Sequence, residues 1–417
     1  LTGRLRLALL CLSVASLAAV MRAGALGRAG AGAAPAVAPA VAPAVAHTAA
    51  HTAMPAIAHA AGPPPAAVPA PASTARALVN RRVVLEKTSK GYRWKLTSGP
   101  LPRVGDHQVL IHVRAVALNR GDLEILASGS EDPRHDLSGR QVASDAAGDV
   151  VAVGRRVAQV RPGMHVTNTF FRRWVDGPPS AEKLAGVYGF SIDGVLADYI
   201  AIDDTAVVPM PPGLTYEEAA TLPTAGLTAW KASIGQRVIR PGSIVLIQGT
   251  GGVSTFALQF AAAAGARVIQ LSSSDEKLRR SESLAPHECI DFRTVPDWST
   301  RVLALTHGHG ADLVIDIGGK STLGQSVRSL AYGGTLALVG GVTGYDGMIP
   351  EEALLRKAAR AQGIYVGSRA DFLRMDAFIV SHHLHPVIDR VFPFEQFNEA
   401  LRELQSDRLV GKIVLRL

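Results

Sequence analysis

The chain has 417 residues, 47% of them hydrophobic, and a formal charge of +8, enough length and apolar content for two cored domains and an appendage. The charge does not mark a nucleic-acid binder: arginines 4, 6, 22, 28, 76, 81 and 82 all precede the first acidic residue, Glu86, and without those seven only 36 basic residues face 35 acidic ones, with no basic stripe. Two cysteines, Cys11 and Cys289, can build neither a disulfide framework nor a cysteine-based zinc cluster, and Cys289, inside the run ECIDF, is expected to be a small core side chain.

Residues 1–78 differ in kind from the rest. Arg4 and Arg6 precede a 14-residue apolar run (7–20), then come Arg22, Ala23-Gly24-Ala25 and an Ala/Pro/Val tract with imperfect PAVA repeats. The run falls short of the ~20 residues that span a bilayer. It matches the apolar core of a secretory signal, although Arg22 sits badly beside a cleavage site. The arginine-rich, acid-free composition also suits an organellar transit peptide, although serine is scarce. With Leu1 where Met would stand, an upstream extension without a folded role is the third option. Ala/Pro tracts bury little, so a disordered leader outside the fold is expected.

From Val83 the pattern turns to short strands and breaks: VVLEK, YRWKLTS and QVLIHVRAVAL, interrupted at Gly91, Gly99-Pro100 and 104–106, then GDVVAVG, HVTNTFF and VLADYIAI. Strands without intervening long helices predict a β-rich domain over roughly 79–209. Pro211-Pro212-Gly213 ends it, and Thr215 with Glu218 forms a capping box for TYEEAATL. A helix beginning at 225–230 leads toward the next unit.

Residues 243–265, SIVLIQGTGGVSTFALQFAAAAG, read as strand, tight turn and helix, the opening of a dinucleotide-binding fold. Gly249 permits the turn, Gly251 and Gly252 let backbone approach a pyrophosphate, and the helix amides near Thr250 and Val253 meet its charge. Ser254 stands where the fingerprint has a third glycine, its hydroxyl free to bond either the helix backbone or the phosphate. Strands RVIQLSS, ECIDFR, DLVIDIGG, GTLALVGG and GIYVGS then alternate with helical segments, which predicts a six-stranded, doubly wound parallel sheet. The second strand ends in Ser272, Ser273 and Ser274, with Lys277 a turn further on. Hydroxyls and a cation, rather than an acid, favour NADPH over NADH. Asp275 and Glu276 are expected to open the next helix, with Ser273 and Glu276 as its capping box. The loops 317–320 and 340–344, with Gly340 and Gly341, are expected to border the nicotinamide.

An ordered series of motifs, LNRGD (118–122), SDAAGDVVAVG (144–154), RPGMHV (161–166), DGVLADYIAI (193–202), PPGLTYEEAATLPTAGLTAW (211–230) and the glycine turn, resembles the medium-chain dehydrogenase/reductase superfamily over about 335 residues. The resemblance implies an α/β fold: a GroES-like catalytic domain (79–209), a Rossmann NADP-binding domain (210–369) and a C-terminal segment (370–417) completing the catalytic domain. Zinc-dependent members have a cysteine near Asn119, a His-Glu pair near Asp145 and a cysteine near Thr224. None stands here, nor does a cysteine-rich zinc lobe, so the resemblance is to the zinc-independent, quinone oxidoreductase-like branch. A site rebuilt from His135, Asp145 and His165 is the weak alternative. A His382, His383 and His385 metal cluster is set against imidazoles bonding helix-end carbonyls before Pro386.

By resemblance Thr224 and Thr228 lie near the nicotinamide and phosphates, with helix capping as the alternative. Ser368 and Arg369, ending the sixth strand, and Lys412, in GKIVLRL, also resemble positions near the cofactor; for the two cations the alternative is a solvated charge. Asn119 and Asp122 are candidate catalytic groups beside the substrate, or turn residues. The function implied is hydride transfer from NADPH, without zinc, to a small electrophile, a quinone or α,β-unsaturated carbonyl. Alcohol/aldehyde interconversion is the alternative, disfavoured because a simple carbonyl needs stronger polarisation; a non-catalytic NADPH-binding redox sensor is another. A homodimer is implied by resemblance. Cofactor supply favours the cytoplasm, with organellar import or export through the leader left open.

Overall fold

A computed structural model of the chain describes residues 79–128, 136–236, 239–406 and 408–417. The expectations for the leader and for His135 fall outside the described residues.

Strands β1 (Val79–Thr88) and β2 (Gly91–Pro100) form an antiparallel hairpin. Strand β3 (Gln108–Ala117) leads into helix α1 (Arg120–Ala127). β4 (Asp145–Val153), β5 (His165–Asn168), one helical turn α2 (Ala181–Leu184), β6 (Tyr199–Asp203) and β7 (Val207–Pro209) follow. The single turn α3 (Tyr216–Ala219) carries the Thr215/Glu218 capping box. A π-helical turn over Leu222–Gly226 then feeds α4 (Leu227–Ala232).

The second unit alternates strictly: β8 (Ile244–Gln248), α5 (Gly252–Ala263), β9 (Arg267–Ser272), α6 (Asp275–Glu282), β10 (Glu288–Asp291) and α7 (Trp298–Leu305). Then come β11 (Ala311–Asp316), α8 (Leu323–Ser329), β12 (Leu330–Leu338), α9 (Glu351–Arg356) and β13 (Arg360–Gly363). The six strands pair in parallel in the order β10-β9-β8-β11-β12-β13, the two-halved dinucleotide topology with its crevice beside β8. All five residues of β8 are buried, because helices cover both faces of a parallel sheet and its central strand needs no polar side.

The chain then turns back through α10 (Arg369–Ser381), β14 (Ile388–Pro393), α11 (Phe397–Gln405) and β15 (Lys412–Arg416). β15 pairs antiparallel with β3, Val414 opposite Ala117 and Arg416 opposite Ala115, inside a seven-stranded sheet with β14, β4, β5, β7 and β6. The last strand therefore belongs to the first sheet and carries Lys412 to its edge.

Three local expectations need correction. The sixth strand lies at Arg360–Gly363, ahead of most of GIYVGS: α9 ends at Arg356, Ala358 takes a left-handed φ of 48°, and the chain enters the sheet early. Only Ile364 extends the pairing, its N–H reaching Leu338 O at 2.9 Å. The cap of α6 is Ser274, which accepts from Lys277 N at 3.3 Å, instead of Ser273. The link before the last helix is a true strand, β14, parallel to β15. Among the described residues no helix is long and apolar enough to cross a membrane.

Candidate active site

The glycine turn leaves β8 through Gly249, whose φ of +76° is a left-handed conformation that disfavours side chains. Gly251 is the N-cap of α5, with no side-chain hydrogen bond to the helix, so first-turn amides around Gly252 and Val253 lack an internal acceptor and face an anion-binding position. Ser254 Oγ donates to Gln248 O at 2.7 Å; its hydroxyl bonds backbone, and the phosphate face stays open. Thr250 is tied into the fold, Oγ1 donating to Leu409 O at 2.8 Å and its carbonyl accepting from Gly411 N at 2.9 Å. The C-terminal segment is thus zipped along the turn.

At the end of β9 a cavity of about 270 Å³ is lined by Ser273, Ser274, Glu276, Lys277, Arg293 and Arg408. Ser272, the residue before this group, is buried, and its hydroxyl has no partner among the described residues. Lys277 Nζ donates to Ser273 Oγ at 2.7 Å. Three cations against one carboxylate, with two hydroxyls, fit a phosphate monoester on the ribose. Arg293 and Arg408 were not anticipated. Arg293 follows the neighbouring strand β10 by two residues, a strand-end signal open to sequence reading, whereas Arg408 arrives from the far end of the chain.

The loops 317–320 and 340–344 pack on each other: Val342 N reaches Ile317 O at 3.2 Å, Lys320 N reaches Gly344 O at 2.9 Å, and Thr343 Oγ1 donates to Gly318 O at 2.7 Å. Gly340 sits against Ile317, while the Tyr345 ring lies where a Gly341 side chain would be. Two expectations change here. Ser368 caps α10, accepting from Asp371 N at 3.0 Å, and is 1% exposed; its hydroxyl serves the helix. Arg369 is the first residue of α10, and its Nε donates to Val207 O at 3.1 Å, bracing the two units instead of ending a strand. Thr228 is buried within α4, so helix capping does not account for it.

The catalytic candidates meet at the seam. Asn119 caps α1, its N–H donating to Asp122 Oδ2 at 2.7 Å. Its Nδ2 donates to Ser144 Oγ at 3.2 Å, and its Oδ1 accepts from Lys412 Nζ at 2.6 Å. Lys412 Nζ also donates to Leu118 O at 2.5 Å. Lys412 is neither a solvated charge nor aimed at the glycine turn: its ammonium bonds Leu118 and Asn119, and its aliphatic stem touches the turn, against Gly252. Asp145, fully buried, accepts from Ser144 Oγ at 2.7 Å, Thr224 Oγ1 at 2.5 Å and Thr224 N at 3.1 Å. Thr224 lies in the π-helical turn, a widened backbone frequent at functional sites, where amide and hydroxyl both face Asp145.

Burial dominates this cluster's acid–base behaviour. It pushes the Asp122 carboxyl up to about 7, with Asp145 adding to the rise and the Asn119 N–H and Lys412 opposing it. Burial also raises Asp145 against the pull of Lys412 and the Thr224 hydroxyl, and lowers Lys412 against both carboxylates. Nearby, Gly121 admits the Phe190 ring, which with Phe170 and Tyr365 forms an aromatic group, Phe170 standing 6.1 Å from each of the other two rings.

The residues here do not fit a catalytic zinc, which needs about three converging N, S or O protein ligands and an open position. Amide, hydroxyl and carboxylate are already committed to one another, and among the described residues no three His, Cys, Asp or Glu side chains could hold a metal. His165 Nδ1 engages Asp149 and Tyr216, both at 2.7 Å. His382 Nδ1 bonds Phe378 O at 3.0 Å and His385 Nδ1 bonds Glu218 at 2.8 Å. Cys289 is half-buried, its thiol raised to about 11 by burial and by Glu282 and Asp275.

A parallel sheet whose open phosphate turn adjoins a polar seam with a β-rich sheet is the build of an NAD(P)H-dependent oxidoreductase. More particularly, the chain belongs to the medium-chain dehydrogenase/reductase superfamily. Residues 105–212 match the alcohol dehydrogenase GroES-like domain and residues 252–381 the zinc-binding dehydrogenase domain. A zinc-type alcohol dehydrogenase-like protein of Schizosaccharomyces pombe is 38% identical, over 74% of this chain and 91% of its own. A crystal structure from Sinorhizobium meliloti, assigned as an alcohol dehydrogenase, is also 38% identical, with a TM-score of 0.76 over 81% of this chain and 99% of the other. The crotonyl-CoA reductase of Streptomyces collinus is 25% identical over 75% of this chain and 79% of its own.

Proposed function

We propose that the protein is a zinc-independent, NADPH-dependent reductase of quinones or α,β-unsaturated carbonyls, with 79–209 and 370–417 forming its catalytic domain and 210–369 its NADP-binding domain. The observation that carries this reading is the substitution of a hydrogen-bonded cluster, Asn119, Ser144, Asp145 and Thr224, for the metal ligands of the zinc enzymes. A conjugated acceptor is polarised sufficiently by hydrogen bonds, whereas a simple carbonyl calls for a Lewis acid. The crotonyl-CoA reductase likeness supports an activated alkene as acceptor.

When bound, NADPH supplies the hydride. The amides of Gly252 and Val253 hold the pyrophosphate, and Ser273, Ser274, Lys277, Arg293 and Arg408 hold the 2′-phosphate. Half-buried Asn119 and Thr224 face the acceptor, the amide as a donor to its oxygen. Because Ser144 and Thr224 both give their protons to Asp145, the proton completing an enone reduction comes from solvent. β13 is an edge strand of the parallel sheet, and such an edge suits a homodimer, which light scattering would detect as twice the chain mass.

NADPH oxidation followed with quinones, enones, enoyl thioesters and aldehydes, with and without a strong chelator, tests the reading. Chelator-resistant turnover of a quinone or activated alkene is expected. Aldehyde turnover that needs added zinc would establish alcohol/aldehyde chemistry, and NADPH binding without any turnover would make the protein a sensor.

A further inference from the structure

The directions of the hydrogen bonds from Lys412 through Asn119 to Ser144 and Asp145 are determined by the two ends of that chain. Lys412 Nζ has only protons to give, and gives them to Leu118 O and Asn119 Oδ1. The amide of Asn119 therefore has one orientation, since its flipped form would set NH2 against an ammonium. Its Nδ2 is turned to Ser144 Oγ, which must accept because its own proton goes to Asp145 Oδ1. One Nδ2–H is used in this way. The amide also leans on the Asp145 carboxyl, and Asn119 is half-buried where Ser144, Asp145 and Lys412 are each under 5% exposed. Asn119 is thus the most accessible member of the chain.

The charge has a second effect. An ammonium on an amide oxygen draws electron density from the amide nitrogen, and in a desolvated site that strengthens its N–H groups as donors. Lys412 itself touches no open space. Burial lowers its pKa, with Asp145 and Asp122 opposing that fall, and Gly252 makes room for its stem.

We infer that Lys412 is a positioning residue for hydride transfer, fixing and polarising the Asn119 amide so that its NH2 group, shared with Ser144 and Asp145, also receives the negative charge developing on the acceptor's carbonyl oxygen. The inference rests on the reductase reading for its reaction, and on the Lys412–Asn119–Ser144–Asp145 chain alone for its geometry.

The test uses the full chain with Lys412→Met, which keeps the stem over Gly252, together with Asn119→Ala and the double variant. With the best acceptor, kcat should fall roughly 10²-fold in each single variant, the usual loss of one oxyanion donor. The double variant should be no worse than either, while NADPH affinity measured by fluorescence stays within about threefold, because residues acting as one unit are not additive. An unchanged kcat in Lys412→Met, additive losses, or a tenfold loss of NADPH affinity with kcat intact would each overturn it, the last by placing the ammonium at the phosphates.

Losing the cation beside two buried carboxylates is destabilising. If Lys412→Met does not fold, the charge-balanced Asp145→Asn/Lys412→Met pair is compared with Asp145→Asn alone, and the same fall is expected. A second readout needs no acceptor. In spectra of 15N-asparagine-labelled protein, the Asn119 side-chain resonances, identified by their loss in Asn119→Asp, should move in Lys412→Met or in the charge-balanced pair. Unmoved resonances refute the inference even if turnover is found. Moved resonances in a protein that reduces no acceptor uphold the amide–lysine coupling while defeating the reductase reading.

Discussion

Asp122→Asn measures how strongly burial governs the seam. The Asp122 carboxyl is 2% exposed and has its pKa raised from 3.8 to about 7. In the unfolded chain the same acid ionises near 3.9. Between those values the folded protein keeps a proton that the unfolded chain has released, so stability declines as pH rises from about 4 to 7, and the loss is complete above. At 1.36 kcal/mol per unit, about three units amount to on the order of 4 kcal/mol. Asparagine keeps the volume and an oxygen for the Asn119 N–H, but does not titrate. Whatever fixed cost the substitution carries is common to all pH values, and only the pH-dependent part remains in the comparison. At roughly 2 °C per kcal/mol for a chain of this size, the Tm of the variant relative to wild type should rise by about 8 °C between pH 4 and pH 8. Thermal melts across that range at constant ionic strength provide the assay. Parallel Tm profiles for the two proteins would refute the argument.

Three further outcomes are expected. Lys277→Ala and Arg408→Ala should each weaken NADPH binding about tenfold and leave NADH within about twofold, since a charge-assisted phosphate contact is lost; equal losses for both cofactors would remove the 2′-phosphate assignment. Asp376 on α10 is buried, neither carboxylate oxygen has a partner among the described residues, and burial pushes its pKa well above 3.8. Its neutral form costs stability progressively as pH rises above the unfolded value, so Asp376→Leu should stabilise by about 1–3 kcal/mol at pH 8 and by less at pH 4; denaturant midpoints that show no pH-dependent gain contradict this. A Cβ at Gly252 would run into the Lys412 stem and approach Ala225 Cβ to 3.2 Å. Gly252→Ala should therefore lower kcat/KM roughly tenfold or more by displacing the lysine, a result checked by steady-state kinetics beside a melting curve showing the fold intact.

Much of the architecture was legible because its causes are short-range. The branched run of β8, the glycines after it and the Ala-rich face of α5 lie within 22 residues, and the strand–helix alternation that follows has few right-handed solutions. The Thr215/Glu218 capping box is a three-residue relation. Where local signals competed, the outcome was less legible: three hydroxyls in a row at 272–274 all qualify as a helix cap, and only the backbone at Ser274 settles which one acts. GIYVGS has the better strand composition, yet RAQG is the strand, because the early end of α9 decides where the chain enters the sheet.

The chemistry of the seam is a different matter. The motifs LNRGD and SDAAGDVVAVG, in order with the others, carry the resemblance to an oxidoreductase scaffold, and the cysteine and histidine missing from the resembled metal positions mark its unusual polar groups. Their partnership is not in those letters. Lys412 meets Asn119 across 293 positions and Thr224 meets Asp145 across 79, distances over which no periodicity or propensity acts. Only the closing of the first sheet by the last strand, which sets β15 beside β3, carries the lysine past the glycine turn and into contact with the amide. Sequence determined the elements and the kinds of side chain available; the tertiary structure decided which charges were buried together, and burial is what gives them their effect.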